Sequence, residues 1–345
     1  MFNVVLASNN EYSSFLCITL ISLLENNKND FNDINVFILS DGITNKNINK
    51  IKDVVNEYEC SLHFIKTKNI EDLNFHIASL DRDNIISFTT YSRLFISSLL
   101  PKDIDKILYL DCDSLIVDSL KQLWDEDISD YYCAGVLDCC NTTIQEMLGY
   151  SKEDKYVNAG VLLINLKKWR ENNVEEKFIE FIKDNQNRFY QHDQGVINVI
   201  FKDKIKIISP KYNLQRYFQY MPYFVSRKFC CIEHEYYSKE IMDDARKNPI
   251  FLHFCAADVF RPWKNPDHPY AELYQYYAKL SNSESAIVYS TKFNNKLKLF
   301  QLLSKNKFGN FILYLTPYFL VKKVVNKSAV KELELEFEKA KQHEL

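Results

Sequence analysis

The beginning of the chain alternates between short apolar strands and helices, and this alternation constrains the fold more than any other feature. Apolar runs at Phe2–Ala7, Ile34–Leu39 and Ser61–Ile65 have the length and composition of buried strands. Between them, apolar residues recur at helical spacing in Phe15–Leu24 and from Thr44 to Val55. Strands that alternate with helices predict an α/β fold, with a Rossmann-like, mostly parallel sheet flanked by helices.

A sheet of this kind binds its ligands where the strands end. The polar segment Ser8–Glu11 follows the first predicted strand, and Asp41 follows the second. Because ligands of open α/β sheets bind at the carboxyl ends of the strands, both positions are candidates for contact with a nucleotide.

The composition changes near Ser281–Ser283 and divides the chain into two predicted parts. Residues 285–330 carry eight lysines and no acidic residue. We therefore expect a catalytic or binding domain over residues 1–280 and a basic amphipathic helical extension over residues 281–345.

Overall charge and cysteine content favour a cytoplasmic protein that does not bind nucleic acid. The net charge is -3, whereas nucleic-acid binders usually carry a strongly basic domain or stripe. Nine cysteines without a C-x-x-C arrangement are typical of reduced thiols. The N-terminus lacks the basic segment of a signal peptide, and no uncharged apolar run reaches about 18 residues, so we expect no spanning helix.

The triplet Asp111-Cys112-Asp113 is a candidate metal site because of the sequence around it. Three other Asp-x-Asp triplets begin at Asp81, Asp103 and Asp125, but they lie in polar surroundings and are expected to be solvated. Asp111-Cys112-Asp113, by contrast, is preceded by the apolar run Ile107–Leu110 and followed by Leu115–Val117. This context places two carboxylates at the end of a buried strand. Desolvated anions need a counter-ion, and a divalent cation that itself binds phosphates fits that need.

A strand that ends in Asp-x-Asp has two chemical interpretations. In one, the carboxylates hold a metal that bridges a diphosphate and assists its departure. In the other, Asp111 is the nucleophile of a haloacid-dehalogenase-like phosphatase, whose motif normally continues with Gly-Thr where this chain has Ser114-Leu115. An inactive sugar-nucleotide-binding protein is a third, non-enzymatic alternative.

Three further segments favour the metal and diphosphate interpretation. A buried strand over Tyr156–Leu166 begins with Asn158-Ala159-Gly160, which we expect to form a tight turn. The polar cluster His192-Asp193-Gln194 precedes an apolar helix and suits recognition of sugar hydroxyls. His253 lies within the apolar run Ile250–Cys255 and is a candidate third metal ligand, of a kind that suits manganese.

Taken in order, these motifs resemble glycosyltransferase family eight over residues 2 to about 270, and most closely its bacterial lipopolysaccharide galactosyl- and glucosyltransferases. The resemblance rests on the following segments: Thr89–Leu94, Leu108–Asp113, Tyr156–Trp169, His192–Gln194, His253–Cys255 and Arg261–Trp263. It implies a GT-A fold, a UDP-hexose donor (UDP-glucose or UDP-galactose), Mn²⁺ or possibly Mg²⁺, a glycan or glycolipid acceptor, and retention of anomeric configuration.

The resemblance also implies roles for individual residues. Asp111, Asp113 and His253 would be the metal ligands. Ala7, Asn9 and Glu11 would surround the uridine and ribose. The residues expected around the diphosphate and the transferred sugar, with their neighbours, are Arg93, Cys112, Asp138, Asn158, Ala159, Asp193, Gln194, Ala256 and Arg261. Of these, Asp138, Asp193 and Gln194 would be the catalytic residues.

Two segments depart from the family's usual pattern. The uracil loop usually has Asp and Asn where this chain has Asn9 and Glu11. After His253, Ala256 replaces a glycine, two residues are added, and Arg261 replaces a lysine. Arginine can still hold a phosphate, through a planar fork rather than a point charge.

The C-terminal extension is expected to contact an anionic membrane. Residues 292–325 interleave lysines with aromatic and aliphatic residues, which is typical of helices that lie in a membrane interface. The alternative is a packed helical extension whose lysines are merely solvated. The membrane interpretation predicts a cytoplasmic protein held at the inner face of the membrane.

Overall fold

The computed structural model describes residues 1–67, 88–185, 192–290 and 302–327, together with Leu299. Ten strands lie within these ranges: β1 Phe2–Asn9, β2 Ile34–Asp41, β3 Cys60–Lys66, β4 Lys106–Leu110, β5 Ser114–Ile116, β6 Cys133–Leu137, β7 Val157–Asn165, β8 Ile205–Ile207, β9 Leu214–Gln215 and β10 Phe251–His253.

Seven of these strands form one sheet in the order β3-β2-β1-β4-β7-β6-β8. The pairs of β1 with β2, β1 with β4, β2 with β3 and β6 with β8 are parallel. Strand β7 is antiparallel to both of its neighbours, β4 and β6. The predicted mostly parallel sheet is therefore confirmed, and its antiparallel part lies where the simple strand-helix alternation has ended.

The helices cover both faces of this sheet. The helices with both ends in the described ranges include α1 Ser13–Asn27, α2 Asn45–Val55, α3 Ile96–Leu99, α4 Lys121–Trp124, α5 Thr142–Met147, α6 Leu166–Glu171, α7 Val174–Asp184, α8 His192–Ile200, α9 Tyr223–Cys230, α10 Lys239–Lys247, α11 Ala271–Leu280 and α12 Lys307–Leu315.

Helix α1 is largely apolar, and most of its residues are buried. Leu16, Leu20 and Leu24 pack into the core beneath the large sheet, and Ile18 and Ile21 pack into a second core. A helix that is hydrophobic all round must be buried, and α1 accordingly connects the two cores.

The second core lies under a small sheet in the order β5-β10-β9. Strand β10 is antiparallel to β5 and parallel to β9, so that His253 lies opposite Ser114 on one side and Gln215 on the other. Since β5 begins directly after Asp113, this pairing joins the end of β10 to the Asp-x-Asp triplet.

The described part of the extension docks on the rest of the protein. Leu313 packs with Met221 and Val225, and the Lys228 ammonium donates to the carbonyl oxygens of Leu313 and Thr316. Residues 291–298, 300–301 and 328–345 of the predicted extension lie outside the described residues. Among the helices that the structure describes, none is both long and apolar enough to cross a membrane.

Candidate active site

The three predicted metal ligands converge at the junction of the two sheets. Asp111 follows β4, Asp113 precedes β5, and His253 ends β10. His253 Nε2 lies 3.2 Å from Asp113 Oδ1 and 3.8 Å from Asp111 Oδ2. One ligand atom from each residue can be chosen so that all lie within 4.8 Å of one another. Two carboxylates and one imidazole at this spacing fit a divalent cation.

Neighbouring amides orient the His253 ring. Its Nδ1 lies 3.1 Å from Asn213 Oδ1, and Asn213 in turn donates to Asn158 Oδ1 at 2.8 Å. A proton on Nδ1 satisfies the first contact and leaves the Nε2 lone pair facing the two carboxylates, which is the arrangement that metal-binding histidines use.

The electrostatics of the group show why it attracts positive charge. Burial works to lower the pKa of His253, but negative charge at Cys255, Asp113 and Asp111 raises this pKa to about 10. Burial raises the pKa of the Cys255 thiol, so the thiol is neutral near neutral pH. There, Asp113 and Asp111 are the groups that favour the protonated form of His253. Burial likewise works to raise the pKa of Asp113, but positive charge at His253 and Arg261 lowers it.

Arg93 joins two carboxylates of the candidate site. Its Nη2 donates to Asp111 Oδ1 at 2.8 Å, its Nε forms an ion pair with Asp193 Oδ2 at 2.8 Å, and its Nη1 donates to the Ala159 carbonyl at 2.7 Å. The side chain is almost fully buried. Arg93 also lines the cavity, so in this structure it positions these carboxylates, and its expected place around the diphosphate and the transferred sugar stays a prediction.

A second network joins Asp138, Asn158 and Gln194. Asp138 Oδ2 accepts from Asn158 Nδ2 at 2.9 Å and from Gln194 Nε2 at 3.0 Å. Gln194 Oε1 accepts from the Ala159 backbone N–H at 3.0 Å. Asp138 Oδ1 is buried without a hydrogen-bond partner among the described residues. A buried acceptor of this kind needs a donor, and a substrate hydroxyl would supply one.

A cavity of about 310 Å³ contains most of the predicted site. The predicted residues that line it are Ala7, Asn9, Arg93, Asp111, Cys112, Asp113, Asp138, Asn158, Ala159, Asp193, Gln194 and His253. The carboxyl end of β1 contributes the first two of these, as the rule for parallel sheets predicts.

Three predicted residues lie outside this lining. Glu11 is exposed. Ala256 is exposed and has a φ of 76°, a left-handed conformation that favours the glycine expected there. Arg261 is half-buried, stacks on Trp263 and lies 3.8 Å from Asp258, while its charge acts on Asp113. The roles proposed for these three residues stay predictions.

The prediction of a turn at Asn158-Ala159-Gly160 is wrong, because these residues lie inside strand β7. The register of β7 with β6 shifts between Gly135 and Val136, opposite this segment. The small residues serve close packing, since a β-carbon at Gly160 would lie 2.8 Å from His253 Nδ1.

Sequence reasoning missed other cavity residues, among them Tyr12 and Arg216. Tyr12 directly follows the predicted nucleotide loop, so the loop boundary alone would have included it. Arg216 lies in a segment without a motif, and nothing in its local sequence indicated a site. In the triplets that begin at Asp103 and Asp125, the aspartates are exposed as expected. The triplet that begins at Asp81 lies outside the described residues.

The fold and the site together define a GT-A glycosyltransferase: a mostly parallel sheet with Asp-x-Asp at the end of an inner strand. A solved structure of the galactosyltransferase LgtC, in complex with donor and acceptor sugar analogs, is similar to this chain with a TM-score of 0.64 and 26% identity. The match covers 86% of this chain and 99% of LgtC.

Residues 3–266 match the profile of glycosyl transferase family 8, and the chain belongs to that family. General stress protein A of Bacillus subtilis is 25% identical over 281 residues, covering 80% of this chain and 93% of the relative. The lipopolysaccharide 1,2-glucosyltransferase of Escherichia coli is 27% identical over 269 residues, covering 76% and 73%. The protein is thus a glycosyltransferase, acting between a sugar donor and a glycan-type acceptor.

Proposed function

We propose that this protein is a retaining hexosyltransferase that uses UDP-glucose or UDP-galactose with Mn²⁺, or less effectively Mg²⁺. The observation that carries the proposal is the Asp111, Asp113 and His253 group, which opens into a cavity of about 310 Å³ at the end of β1. A bound cation there would stabilise the charge of a departing nucleoside diphosphate.

The donor is proposed to lie along the edge where β1 and β4 end. Ala7, Asn9 and Tyr12 border one side of the cavity and would take the uridine. The diphosphate would then reach the metal group, where Arg261 adds positive charge from outside the lining. Binding of a doubly charged diphosphate is favoured only when such cations offset the four aspartates that face this cavity.

Retention is proposed to occur without a covalent intermediate. The Gln194 amide is neutral and a poor nucleophile, and its hydrogen bonds to Asp138 and Ala159 hold it in place. The Asp193 carboxylate is committed to Arg93. The acceptor hydroxyl would therefore attack from the face that the leaving diphosphate occupies, while Asp138 Oδ1 accepts from a hydroxyl of the transferred sugar.

The acceptor is proposed to be a glycan or glycolipid of a cell-surface polysaccharide or lipopolysaccharide, by analogy with the named Escherichia coli relative. Delivery of such an acceptor suits a protein held at the inner face of an anionic membrane. The docked extension presents exposed apolar side chains, including Phe308, Phe311, Leu315 and Phe319. Two of its lysines, Lys305 and Lys322, already pair with Asp267 and Glu233, so apolar contact would dominate over charge.

The decisive experiment measures UDP release from a panel of UDP-sugars with and without Mn²⁺. We expect release to depend on the metal and to fall by at least about 100-fold in Asp113→Ala, which removes one ligand. Asp103→Ala is a matched control, because it removes an exposed aspartate of another Asp-x-Asp triplet. Metal-independent turnover, or full activity in Asp113→Ala, would contradict the proposal.

The same samples address the other two functions. UDP binding by calorimetry without any transfer or hydrolysis would indicate a sugar-nucleotide-binding protein. Release of inorganic phosphate from simple phosphoesters would indicate the phosphatase, but membership of a glycosyltransferase family removes the basis for that alternative.

Membrane contact is tested with the full chain and vesicles that contain anionic lipid. Replacing Phe308 and Phe319 by aspartate places charge on side chains that are 74% and 68% exposed, so the fold should tolerate it. We expect vesicle binding to weaken at least about tenfold, because two apolar side chains that would be buried in the membrane interface are lost. Met147→Asp, exposed on helix α5, is the control. Equal binding by all three proteins would refute membrane contact through this surface.

A further inference from the structure

Arg216 is a cation of the cavity that the proposed donor chemistry does not use. It directly follows β9, whose residue Gln215 lies opposite His253 in the small sheet. Its side chain lines the same cavity as Asp138, Gln194 and the metal group. Arg216 therefore adds a positive charge to the sugar-binding cavity itself.

The backbone of Arg216 is held in an unfavourable conformation. Its φ is 41°, in the left-handed region that residues with a β-carbon disfavour. Neither a glycine nor an asparagine, which tolerate this conformation, occupies the position. Strained backbone persists where the surrounding structure enforces it, and it is concentrated at functional sites.

Among the described residues, the guanidinium has no partner that explains its position. Its Nε is buried without a hydrogen-bond partner in the part of the chain that the structure describes. Within the same residues, no carboxylate forms an ion pair with it, whereas Arg93 has two. An arginine whose donors face a cavity without a protein acceptor is suited to bind an anion of a ligand.

Arg216 lies next to the segment that carries Asp138, because its chain neighbour Gln215 accepts from the Cys139 backbone N–H and donates to the Leu137 carbonyl, each at 3.2 Å. Burial works to lower the pKa of Arg216, and negative charge at Cys139, Cys255 and Asp138 acts in the opposite direction. The pKa of each thiol is itself raised, that of Cys139 by its hydrogen bond to Cys230 and that of Cys255 by burial, so Asp138 is the negative charge that acts on Arg216 near neutral pH. Asp138 also accepts from Gln194, so Arg216 lies beside that network, whereas Arg261 lies outside the cavity lining.

We propose that Arg216 binds a phosphate or carboxylate group of the acceptor, so that this enzyme selects an anionic glycan. The inference rests on the proposed function, because that function says which part of the cavity binds the UDP-sugar donor. Its basis in the structure is the Arg216 side chain, which lines the cavity beside the Asp138 network and whose Nε is buried without a hydrogen-bond partner among the described residues.

The test uses glucose 1-phosphate, glucuronic acid and glucose as probes, with binding measured by calorimetry or ligand NMR. Each probe is added to protein loaded with Mn²⁺ and UDP, so that the donor position is filled, and also to protein without UDP. We expect both anionic sugars to bind the wild type at least about tenfold more tightly than glucose, as a charge-assisted hydrogen bond implies. In Arg216→Gln this preference should fall below about twofold, and Arg216→Lys should retain part of it.

Controls separate the acceptor from the donor and from misfolding. Arg246→Gln removes an arginine that donates to the Phe218 carbonyl and does not line the cavity, and it should keep the preference. The affinity for UDP with Mn²⁺ should stay within about twofold in Arg216→Gln, with an unchanged melting temperature. No anionic preference in the wild type, or a preference that survives Arg216→Gln, would overturn the proposal.

A tenfold loss of UDP affinity in Arg216→Gln, with sugar preference unchanged, would assign Arg216 to the donor diphosphate and also overturn it. If the wild type binds no UDP at all, the proposed function fails instead. The arm without UDP still decides the role of Arg216 in that case.

Discussion

The substitution Gly160→Ala tests how the metal group is built. Gly160 lies in β7 beneath His253, and an added β-carbon would lie 2.8 Å from His253 Nδ1, closer still to Cε1, and 3.0 Å from Asn158 Oδ1. Carbon and ring atoms prefer about 3.5–4.0 Å, so the imidazole must retreat by roughly 1 Å. His253 is 2% exposed and its Nδ1 is hydrogen-bonded to Asn213, so this shift would disturb that contact and move Nε2 relative to the two carboxylates.

The expected effects follow from that displacement. Metal-ligand distances tolerate about 0.2 Å, so Mn²⁺ affinity should fall by about 10- to 100-fold. Overpacking of a buried site should lower the free energy of unfolding by about 1–3 kcal/mol. UDP release should fall by about 100-fold, as misplacement of a reacting group by 1 Å predicts.

Electron paramagnetic resonance of free Mn²⁺ measures the affinity, and urea denaturation measures the stability. Gly135→Ala is the matched control: its β-carbon would lie 3.2 Å from side-chain atoms of Leu162 and Val157 in the same sheet, away from the metal group. It should lower stability and leave Mn²⁺ affinity unchanged. In a His253→Ala background, Gly160→Ala should lose most of its effect on stability.

Two results would refute the reasoning. Wild-type Mn²⁺ affinity in Gly160→Ala would mean that the imidazole position does not depend on this close approach. Equal loss of affinity in Gly135→Ala would mean that strain in the sheet, rather than contact with His253, weakens the site.

Three further predictions concern the residues around the cavity. Arg93→Ala should lower the free energy of unfolding by about 3–5 kcal/mol, because it leaves Asp193 and Asp111 without their common cation. Urea denaturation without metal measures this change, and a loss below about 1 kcal/mol would contradict the role of Arg93. Gln194→Glu replaces a 3.0 Å hydrogen bond to Asp138 by two facing carboxylates, so UDP release should be about 100-fold slower than in the wild type at pH 8. Near pH 5, where a proton relieves the repulsion, the ratio to the wild-type rate at the same pH should be smaller; a ratio that does not change with pH would argue against repulsion. Burial raises the pKa of Asp193 to about 6, with Arg93 acting in the opposite direction, so at saturating Mn²⁺ activity should decline as the pH falls through 6, and Asp193→Asn should lack this step. Because this folded-state pKa exceeds the unfolded value of about 3.9, the same group should lower stability by up to roughly 3 kcal/mol as the pH rises from 4 to 6, which pH-dependent denaturation of wild type and Asp193→Asn would measure.

The candidate site shows where prediction from the sequence succeeds. The strand that ends at Asp111 was recognisable because an apolar run before a polar triplet reports burial locally. His253 and the cluster at Asp193 were predicted largely through the resemblance to a family, since spacing alone does not bring residues so far apart together. The expected turn at Asn158–Gly160 was wrong because small residues serve a turn and a close approach between a strand and a side chain equally well.

By itself, the sequence determined the α/β alternation, the inner strand carrying Asp111, and the family to which the chain belongs. The tertiary structure alone decided that Arg93 pairs with both Asp111 and Asp193, and that Gly160 makes room for His253. It also decided that Arg216 lines the cavity with its Nε unpartnered among the residues that the structure describes. The physical reason is that periodicity reports which residues are buried, whereas charge pairing and close approach depend on strand pairings between distant segments, such as β10 with β5 and β9.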